Sequence, residues 1–375
     1  MTTIKSKKVN GAHRVLEIPK MQWAQVFEKT ASALIYTQIP VPSISSDEIL
    51  VQIHYSGVCH TDLHVWKGDW PLESKKDLVG GHEGAGVAVA RGDNVSRVSI
   101  GDRVGVQWMN DTCGSCEFCS DGDQPLCPSA KISGYTVNGT FQQYAVCKAT
   151  NAVRIPNGIS LDEAAPILCA GVTVYKALKE SNLQPGQIVA VVGAGGGLGT
   201  LACQYAKALG YRVLAISEGS SKKAMLVKVI GVDYFVDYIA SKQGLIPEVQ
   251  ELTGGGPHAA IVVASVESPI GQAIQYIRPK GTVVVVGLHK NAIIKADLFS
   301  TVVKQKTVKG SYVGSCIVTE EALAIYANDR FCIQYQVLFL EELPAVFEKM
   351  QQGKMQGRTV LQIPSPETML NGSIE

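Results

Sequence analysis

Two widely separated segments of the chain carry residue types that bind a catalytic metal ion. Cys59 and His82 have 22 residues between them, too many for a local finger, so a third ligand has to come from a distant segment. Cys169, in the run Ala-Pro-Ile-Leu-Cys-Ala-Gly, is the best candidate. Two thiolates and one imidazole leave the fourth position of a tetrahedral zinc site open, which favours Lewis-acid chemistry. Each residue alone also fits a buried core residue, but the surrounding motifs favour the metal.

A second group of cysteines is close together in the sequence. Cys113, Cys116, Cys119 and Cys127 follow the spacing Cys-x2-Cys-x2-Cys-x7-Cys on loops that contain glycine and serine. Four thiolates at this spacing indicate a closed tetrahedral zinc site, whose role is to hold a loop. An iron–sulfur cluster uses similar spacing, but no redox partner motif accompanies it. The sequence therefore predicts a structural zinc ion here.

Composition indicates a large intracellular globular protein. The chain has 375 residues, which favours two domains, and a net charge of +1, which gives no indication of a nucleic-acid partner. It has no apolar run of membrane-spanning length and no secretory signal. Ten cysteines without such a signal favour a reducing compartment, and we expect the cytoplasm. Residues 1–16 are basic and free of acidic residues, which fits a solvated tail or a short mitochondrial presequence.

The elements that position these residues change character along the chain. Residues 17–108 alternate short apolar runs with Gly, Pro and Ser turns, which predicts an irregular β domain without a helix of any length. A helix capped by Ser160 or Asp162 follows, and then another helical stretch from Val172.

A dinucleotide-binding unit begins at residue 188. The apolar strand Ile-Val-Ala-Val-Val leads directly into Gly-Ala-Gly-Gly-Gly-Leu-Gly, a helix from Leu201 and a second strand from Tyr211. The strict G-x-G-x-x-G spacing is not met, but Gly193, Gly196 and Gly199 give G-x-x-G-x-x-G. Glycines here let the backbone approach a pyrophosphate, whose charge the helix N-terminus stabilises. Two later β-branched runs, 259–264 and 281–288, predict parallel strands buried on both faces, and 318–329 and 340–352 are predicted to be helical.

Together, these motifs resemble those of the zinc-dependent medium-chain alcohol dehydrogenases, most closely the yeast and fungal enzymes. The resemblance covers about residues 20–363 and includes Cys-His-Thr-Asp-Leu-His from 59, Gly-Gly-His-Glu-Gly-Ala-Gly from 80 and the four-cysteine loop. It implies an α/β fold in which a β-rich catalytic domain, similar to the GroES-like fold, surrounds a Rossmann domain with a doubly wound parallel sheet. The implied boundaries are 1–170 and 310–375 for the catalytic domain and 171–309 for the Rossmann domain.

The resemblance also assigns roles at the metal. Cys59, His82 and Cys169 look like the catalytic zinc ligands. Glu83 resembles a carboxylate that approaches the metal when the water moves, and Asp62 resembles the partner that orients His82.

Proton transfer and the substrate pocket are assigned in the same way. Thr61 would hydrogen-bond the zinc-bound alkoxide, and His64 would pass its proton through the cofactor ribose to solvent. A turn hydroxyl and a surface histidine are the alternatives, but the placement two and five residues after Cys59 argues against them. Trp70 and Trp108 match pocket-wall aromatics that would favour small or slender substrates, although two core tryptophans also fit.

Cofactor contacts form a larger set. His60 and Arg358 match positions that face the pyrophosphate, and four residues match positions beside the nicotinamide. The predicted contacts are Gly193, Gly196, Gly197, Leu198, Gly199, His60, Arg358, Val286, Leu288, Ser311 and Val313, joined by Ser217 and Lys222 at the adenosine end.

One position departs from the yeast pattern and bears on the choice of cofactor. Ser217 stands where the yeast enzymes have an aspartate that binds the ribose hydroxyls, so repulsion of a 2′-phosphate is absent. Ser217, Ser220 and Lys222 suit that phosphate, as serine and lysine do in the related cinnamyl alcohol dehydrogenases, whereas Glu218 suits an NAD-type contact. We therefore favour NADP, with NAD as the alternative.

The predicted function is reversible hydride transfer between a small alcohol and NAD(P), with two zinc ions per chain. An NADPH-dependent aldehyde reductase of a specialised pathway is the nearest alternative. A zinc-free reductase would lack both cysteine sites, and a non-catalytic relative would be expected to lose Thr61, His64 or a zinc ligand. Relatives assemble through the Rossmann domain, so we expect a homotetramer or homodimer and no membrane partner.

Overall fold

The computed structural model describes residues 18–70, 73–264, 266–288, 292–355 and 357–365. The basic segment 1–16, for which a tail or a presequence was considered, lies outside the described residues.

The first part of the chain folds mainly into short strands, as its alternating pattern predicts. In chain order its elements are β1 (Met21–Phe27), β2 (Ile35–Pro40), β3 (Glu48–Val58), α1 (His60–Lys67), β4 (Leu78–Val79), β5 (Gly84–Arg91), β6 (Arg103–Val106), β7 (Met109–Asp111), α2 (Glu117–Ser120), β8 (Lys131–Ile132), β9 (Tyr144–Lys148), β10 (Val153–Arg154), α3 (Leu161–Ala164) and α4 (Ala170–Glu180). The prediction that residues 17–108 contain no helix is wrong, because α1 lies within them. Ser160 rather than Asp162 caps α3, in a capping box with Glu163.

β3 is the central strand of this region. It pairs antiparallel with β5, and its first five residues, Glu48 to Gln52, also pair antiparallel with β9. Ile49, Val51 and Ile53 from β3 pack with Val104 and Ala145 in a buried apolar cluster. The sheet therefore forms a rigid base for the loops that follow β3, β4 and β6.

The middle of the chain forms a parallel sheet. Its elements are β11 (Ile188–Val192), α5 (Gly197–Ala208), β12 (Arg212–Ser217), α6 (Ser220–Ala224), β13 (Tyr234–Asp237), α7 (Leu245–Leu252), β14 (Ala259–Val262), α8 (Ser268–Tyr276), β15 (Thr282–Val285), α9 (Leu298–Val303) and β16 (Thr307–Gly310). A π-helical stretch, Met225–Ile230, continues α6. The strand order β13-β12-β11-β14-β15-β16 reverses beside β11, which is where such sheets bind dinucleotides.

Both faces of this sheet are buried. Val189 and Val191 of β11 pack in the cluster that contains residues of α4 and α5, whereas the alternate residue Ala190 packs in the cluster that contains residues of α7 and α8. Helices on both faces confirm the doubly wound sheet. The sequence analysis predicts no strand between β12 and β14, where the structure has the edge strand β13.

The last part of the chain returns to the first sheet. Its elements are α10 (Cys316–Asp329), β17 (Tyr335–Phe339), α11 (Leu343–Gln351) and β18 (Arg358–Gln362). β18 pairs antiparallel with β3 and parallel with β17. The two predicted helices are confirmed, with a short 3-10 turn, Leu340–Glu342, preceding the second. In the described part of the chain, no helix is long and apolar enough to span a membrane.

Candidate functional site

Three predicted ligands meet in a buried cluster, although they come from three separate segments. Cys59 is the N-cap of α1, His82 lies in the turn before β5, and Cys169 follows the 3-10 turn Ala165–Leu168. His82 Nε2 lies 3.2 Å from Cys169 Sγ, which in turn lies 4.0 Å from Cys59 Sγ. Ligand atoms of a tetrahedral zinc site stand about 3.5–3.8 Å apart, so the spacing fits this ion.

The donor chemistry of the cluster also fits a cation. A hydrogen bond with Cys169 lowers the pKa of Cys59 well below its usual range, and the same bond raises the pKa of Cys169. Because a metal ion binds the thiolate form of cysteine, a thiol whose pKa is lowered suits a metal ligand.

Asp62 fixes the orientation of His82. Its Oδ1 accepts a hydrogen bond from His82 Nδ1 at 2.7 Å, and its Oδ2 accepts from the backbone N–H of Cys59 at 2.8 Å. Because Nδ1 is engaged in this way, Nε2 is the atom that faces the two cysteine sulfurs.

Glu83 lies beside the same cluster and is completely buried. Its Oε1 accepts a hydrogen bond from Arg358, while burial raises the pKa of Glu83 to about 7. Within the described residues, Glu83 Oε2 has no hydrogen-bond partner. Gly57 leaves the room that this oxygen occupies, since a β-carbon there would lie 1.8 Å from it. A buried carboxylate oxygen without a donor, next to two thiols and an imidazole, is consistent with a cation in the cluster.

The four clustered cysteines converge at the surface. Cys113 Sγ lies 3.6 Å from Cys127 Sγ and 3.9 Å from Cys119 Sγ, and the ligand atoms of all four cysteines, Cys116 included, lie within 4.8 Å of one another. Sulfur atoms bound to one zinc ion at about 2.3 Å stand about 3.8 Å apart, so this arrangement suits a tetrathiolate site.

Helix α1 places the predicted proton-transfer residues beside the Cys59–His82–Cys169 cluster, which is called the metal cluster below. Thr61 and His64 both line a cavity of about 300 Å³ that also contains Cys59, His82 and Cys169. His64 Nδ1 lies 2.8 Å from Asp69 Oδ2, and its ring stacks on Trp70 with centroids 5.7 Å apart.

Aromatic side chains wall the same cavity. Trp70 and Trp108 both line it and contact each other edge to face, with ring centroids 6.2 Å apart. The ring of Trp108 lies 4.9 Å from that of His82, so the wall begins next to the metal cluster. Tyr312, which sequence reasoning did not single out, accepts a hydrogen bond from Trp108 Nε1.

The glycine-rich turn after β11 forms the opposite side of the cavity. Gly193 has a φ of +89°, which favours glycine, and α5 begins at Gly197. A β-carbon at Gly199 would lie 2.1 Å from the carbonyl oxygen of Gly193, so close helix packing requires glycine. The predicted cofactor contacts that line this cavity are His60, Gly193, Gly196, Gly197, Leu198, Gly199, Val286, Leu288, Ser311 and Val313.

Arg358 is placed differently from the other predicted cofactor contacts. It is buried and bonded to Glu83, and a β-carbon on Gly197 would lie 2.8 Å from its Cδ. It therefore stands between the metal cluster and the start of α5, behind the cavity wall. Its Nε has no hydrogen-bond partner within the described residues.

A second cavity, of about 380 Å³, opens at the end of β12. Ser217, Glu218, Lys222 and Tyr238 line it together with Gly193. Lys222 Nζ lies 2.8 Å from Glu218 Oε1, and the Tyr238 hydroxyl donates to Glu218 Oε2. Ser217 and Lys222, which suit a 2′-phosphate, thus line the same cavity. Glu218, which suits an NAD-type contact, is bonded to both Lys222 and Tyr238.

Three functional residues were missed by sequence reasoning. Asp69 directly follows Gly68, which ends α1, so recognising the helix would have placed Asp69 beside His64. Tyr312 lies between two residues already assigned to the nicotinamide wall. Nothing in the local sequence marks Gly57, whose role depends on the pairing of β3 with β5.

Comparison with known proteins supports this picture. Residues 45–157 match the alcohol dehydrogenase GroES-like domain, and residues 197–328 match the zinc-binding dehydrogenase family. The chain is 52% identical to alcohol dehydrogenase 1 of Emericella nidulans, over 93% of this chain and 100% of that protein. It is 48% identical to alcohol dehydrogenase 1 of Neurospora crassa, over 92% of this chain and 98% of that protein.

A solved structure shares the whole fold. A cinnamyl alcohol dehydrogenase from Sorghum bicolor superposes with a TM-score of 0.81 at 27% identity, covering 92% of this chain and 98% of that one. The architecture of this chain is therefore shared with a solved structure of a cinnamyl alcohol dehydrogenase.

Proposed function

This chain belongs to the zinc-binding medium-chain alcohol dehydrogenases and is an oxidoreductase that acts on alcohols, and from this premise we propose how its residues divide the work. Cys59, His82 and Cys169 bind a catalytic zinc ion, and the reaction is reversible hydride transfer between a small primary or secondary alcohol and NAD(P). The observation that carries the proposal is the shared cavity. The metal cluster, Thr61 and the glycine-rich turn all open into the same space.

A zinc ion held by these ligands supplies a Lewis acid that favours loss of the alcohol proton. Thr61 would bind the substrate hydroxyl, accept its proton and release its own hydroxyl proton towards the cofactor ribose. His64 carries it towards solvent, since its side chain is one-third exposed. Asp69 holds His64 through Nδ1, which leaves Nε2 free to exchange the proton. Glu83, held by Arg358 beside the cluster, would offer its unpartnered Oε2 as a further oxygen ligand to a metal ion there.

The tetrathiolate cluster holds a second, structural zinc ion. Its four sulfur ligands leave no open position for chemistry. The lobe that contains it is tied to the rest of the protein, because Gln124 Oε1 accepts a hydrogen bond from the backbone N–H of Cys316 at 3.3 Å. Both cysteine sites require reduced thiols, which supports action in the cytoplasm, with the mitochondrial matrix as the alternative.

The adenosine end supports NADP as the preferred cofactor. Ser217 is buried at the end of β12, and Ser217 and Lys222 both line the second cavity. Glu218, which would favour NAD, already pairs with Lys222 and Tyr238 and is drawn towards the rim. We expect a bound 2′-phosphate to replace Glu218 as the partner of Lys222. NAD, with Glu218 on the ribose hydroxyls, is the alternative.

Cofactor preference is tested by exchanging the residue at the end of β12. Ser217→Asp places a carboxylate where the 2′-phosphate would lie, and we expect kcat/KM with NADPH relative to NADH to fall by about tenfold to a hundredfold. Lys223→Ala, which changes a neighbouring lysine outside the cavity lining, is the matched control. An unchanged ratio in Ser217→Asp would contradict an NADP site here.

The fold also supports a proposal for the domain boundaries and the assembly. Residues 1–170 and 310–375 form the catalytic domain, which the pairing of β18 with β3 supports, and 171–309 form the Rossmann domain. Exposed apolar residues on α9 and the free edge of β16 support assembly through the Rossmann domain, as a dimer or as a tetramer of two such dimers.

Zinc-dependent turnover tests the proposed function. The zinc-loaded protein is assayed for alcohol oxidation and aldehyde reduction with both cofactors, using ethanol, longer primary alcohols and aromatic aldehydes. We expect turnover that His82→Ala abolishes while the tetrathiolate zinc is retained. Strong preference for aldehydes with NADPH would favour the biosynthetic reductase. Absence of turnover with every cofactor would identify a non-catalytic zinc- and nucleotide-binding relative.

A further inference from the structure

Two consecutive residues of the β-rich region bind the segment that follows the last parallel strand. Gln107 and Trp108 lie between β6 and β7. Gln107 Nε2 lies 3.2 Å from Cys316 Sγ, and its Oε1 accepts a hydrogen bond from Thr319 at 2.8 Å. Trp108 Nε1 donates to the Tyr312 hydroxyl at 2.5 Å. The start of α10 is therefore anchored by Gln107, and the segment before it by Trp108.

These two anchors differ in their surroundings. Gln107 is buried and its amide is bonded on both sides, so that contact is part of the packed interior. Tyr312 is 40% exposed and stands at the cavity, where the hydrogen bond from Trp108 is the contact that fixes its hydroxyl. The next residue, Val313, has a φ of +32°, which is unusual for a β-branched side chain. The segment that carries Tyr312 is thus held in a strained backbone conformation by contacts with the opposite wall.

We propose that the hydrogen bond between Trp108 and Tyr312 is a latch that holds the Tyr312 ring across the mouth of the alcohol pocket and so limits the size of the alcohol. Tyr312 acts through this bond as a specificity-determining residue. The inference rests on the proposed alcohol oxidation and deepens it, because it assigns the upper size limit of the alcohol to one hydrogen bond in the pocket wall.

The geometry explains why the latch affects substrate choice. Trp108 is packed against His82 on one side and Tyr135 on another, so its indole is a fixed donor. Tyr312 lines the same cavity as Trp70 and Trp108 and joins them as a third aromatic wall. The net stabilisation from a neutral hydrogen bond corresponds to about a threefold to tenfold change in the ratio of bonded to unbonded conformations. Loss of the bond therefore releases the ring without removing it.

The test separates the hydroxyl from the ring. Tyr312→Phe keeps the ring and removes the acceptor, and Trp108→Phe removes the donor. We expect Tyr312→Phe to raise kcat/KM for 1-hexanol and benzyl alcohol relative to ethanol by about threefold to tenfold. In the Trp108→Phe background the same change should have no further effect. Tyr276→Phe is the matched control, since that buried hydroxyl has no partner within the described residues and lies away from the cavity.

A second measurement does not depend on turnover. Hydrogen–deuterium exchange of the peptide covering residues 307–320 should be about threefold to tenfold faster in Tyr312→Phe and in Trp108→Phe, and unchanged in Tyr276→Phe. The latch is overturned if the alcohol ratio is unchanged, if Tyr312→Phe has its full effect in the Trp108→Phe background, or if exchange is unaltered. If the zinc-loaded wild type oxidises no alcohol, the proposed function fails, and the exchange measurement alone decides whether the latch exists.

Discussion

Asp62 joins the start of helix α1 to the orientation of His82, a proposed metal ligand. One carboxylate oxygen accepts from the backbone of Cys59 and the other from His82 Nδ1, and the side chain is almost completely buried. A single residue thus completes the capping box of the helix and selects the histidine nitrogen that faces the cysteine sulfurs. The sequence resemblance predicted the second of these roles, whereas the capping role required the helix, which sequence reasoning missed.

Replacing this carboxylate should weaken only one of the two zinc sites. Asp62→Asn retains one acceptor oxygen, but its amide NH2 group then faces one of the two N–H donors that Asp62 binds. Zinc affinity at the Cys59 site should therefore fall by about tenfold to a hundredfold. At a chelator concentration that leaves two zinc ions on the wild type, the variant should keep one. Asp93→Asn, at an exposed loop position, should keep both. Retention of two ions by Asp62→Asn would contradict the orienting role.

Asp69 should affect the reaction only through His64. Asp69→Ala removes the acceptor for Nδ1, and we expect kcat for alcohol oxidation to fall by about tenfold. The same substitution in a His64→Ala background should cause little further loss, because the group that Asp69 positions is already absent. Equal losses in the two backgrounds, measured in steady-state assays, would show that Asp69 acts on something else.

At the scale of elements, the inner strands of the parallel sheet were predictable and the site helix was not. The inner parallel strands β11, β12, β14 and β15 are short apolar runs that are mostly buried, which gives a strong local signal. Helix α1 is only eight residues long and buries Asp62, Leu63 and Val65, so it has no wide apolar stripe to recognise. The helix begins after the cap at Cys59 and ends at the turn at Gly68, and both depend on hydrogen bonds that form only in the folded chain. The short edge strand β13 is only partly buried and gave an equally weak signal.

The turn at Gly68 should be sensitive to any side chain. Its φ is +70°, and a β-carbon there would lie 2.5 Å from Thr30 Cγ2. Gly231 has nearly the same backbone conformation, with open space around the added carbon. Left-handed backbone costs about 1–2 kcal/mol for a non-glycine residue. We expect Gly231→Ala to lose about this much unfolding free energy in denaturant titrations, and Gly68→Ala to lose more.

Activity should separate the same two variants. Gly68→Ala displaces Asp69, and with it His64, so its kcat should fall even where the protein remains folded. Gly231→Ala should retain the wild-type kcat under the same conditions. A Gly68→Ala variant with normal kcat would show that the turn has no part in positioning His64.

At the scale of the whole molecule, the return of the chain was not visible in any local pattern. β18 completes the first sheet beside β3, about 300 residues away in sequence. A five-residue strand with two apolar residues does not indicate its partner, and only the resemblance to a family predicted that this segment returns to the catalytic domain. The same long-range closure brings Arg358 to Glu83, a contact that links the last strand to the metal cluster.

The surface of the parallel sheet leads to the last prediction, which concerns assembly. β16 is the edge strand and pairs with β15 alone among the described strands. Helix α9, just before it, exposes Leu298, Phe299, Val302 and Val303, each by more than 60%. An unprotected strand edge next to an apolar helix is unusual for a monomer. A second copy related by a twofold axis can pair its own β16 antiparallel to this edge and cover the apolar side chains.

Substitution on α9 should therefore change the mass of the particle. Phe299→Asp and Val303→Asp each place a charge in the apolar contact, and we expect light scattering after gel filtration to shift towards the monomer at micromolar concentration. Ile239→Asp is the matched control, because Ile239 is 72% exposed beyond β13, at the opposite edge of the sheet. If the control dissociates the particle and the α9 variants do not, the interface lies at the β13 edge. If the wild type is already monomeric, the apolar face of α9 does not serve self-association.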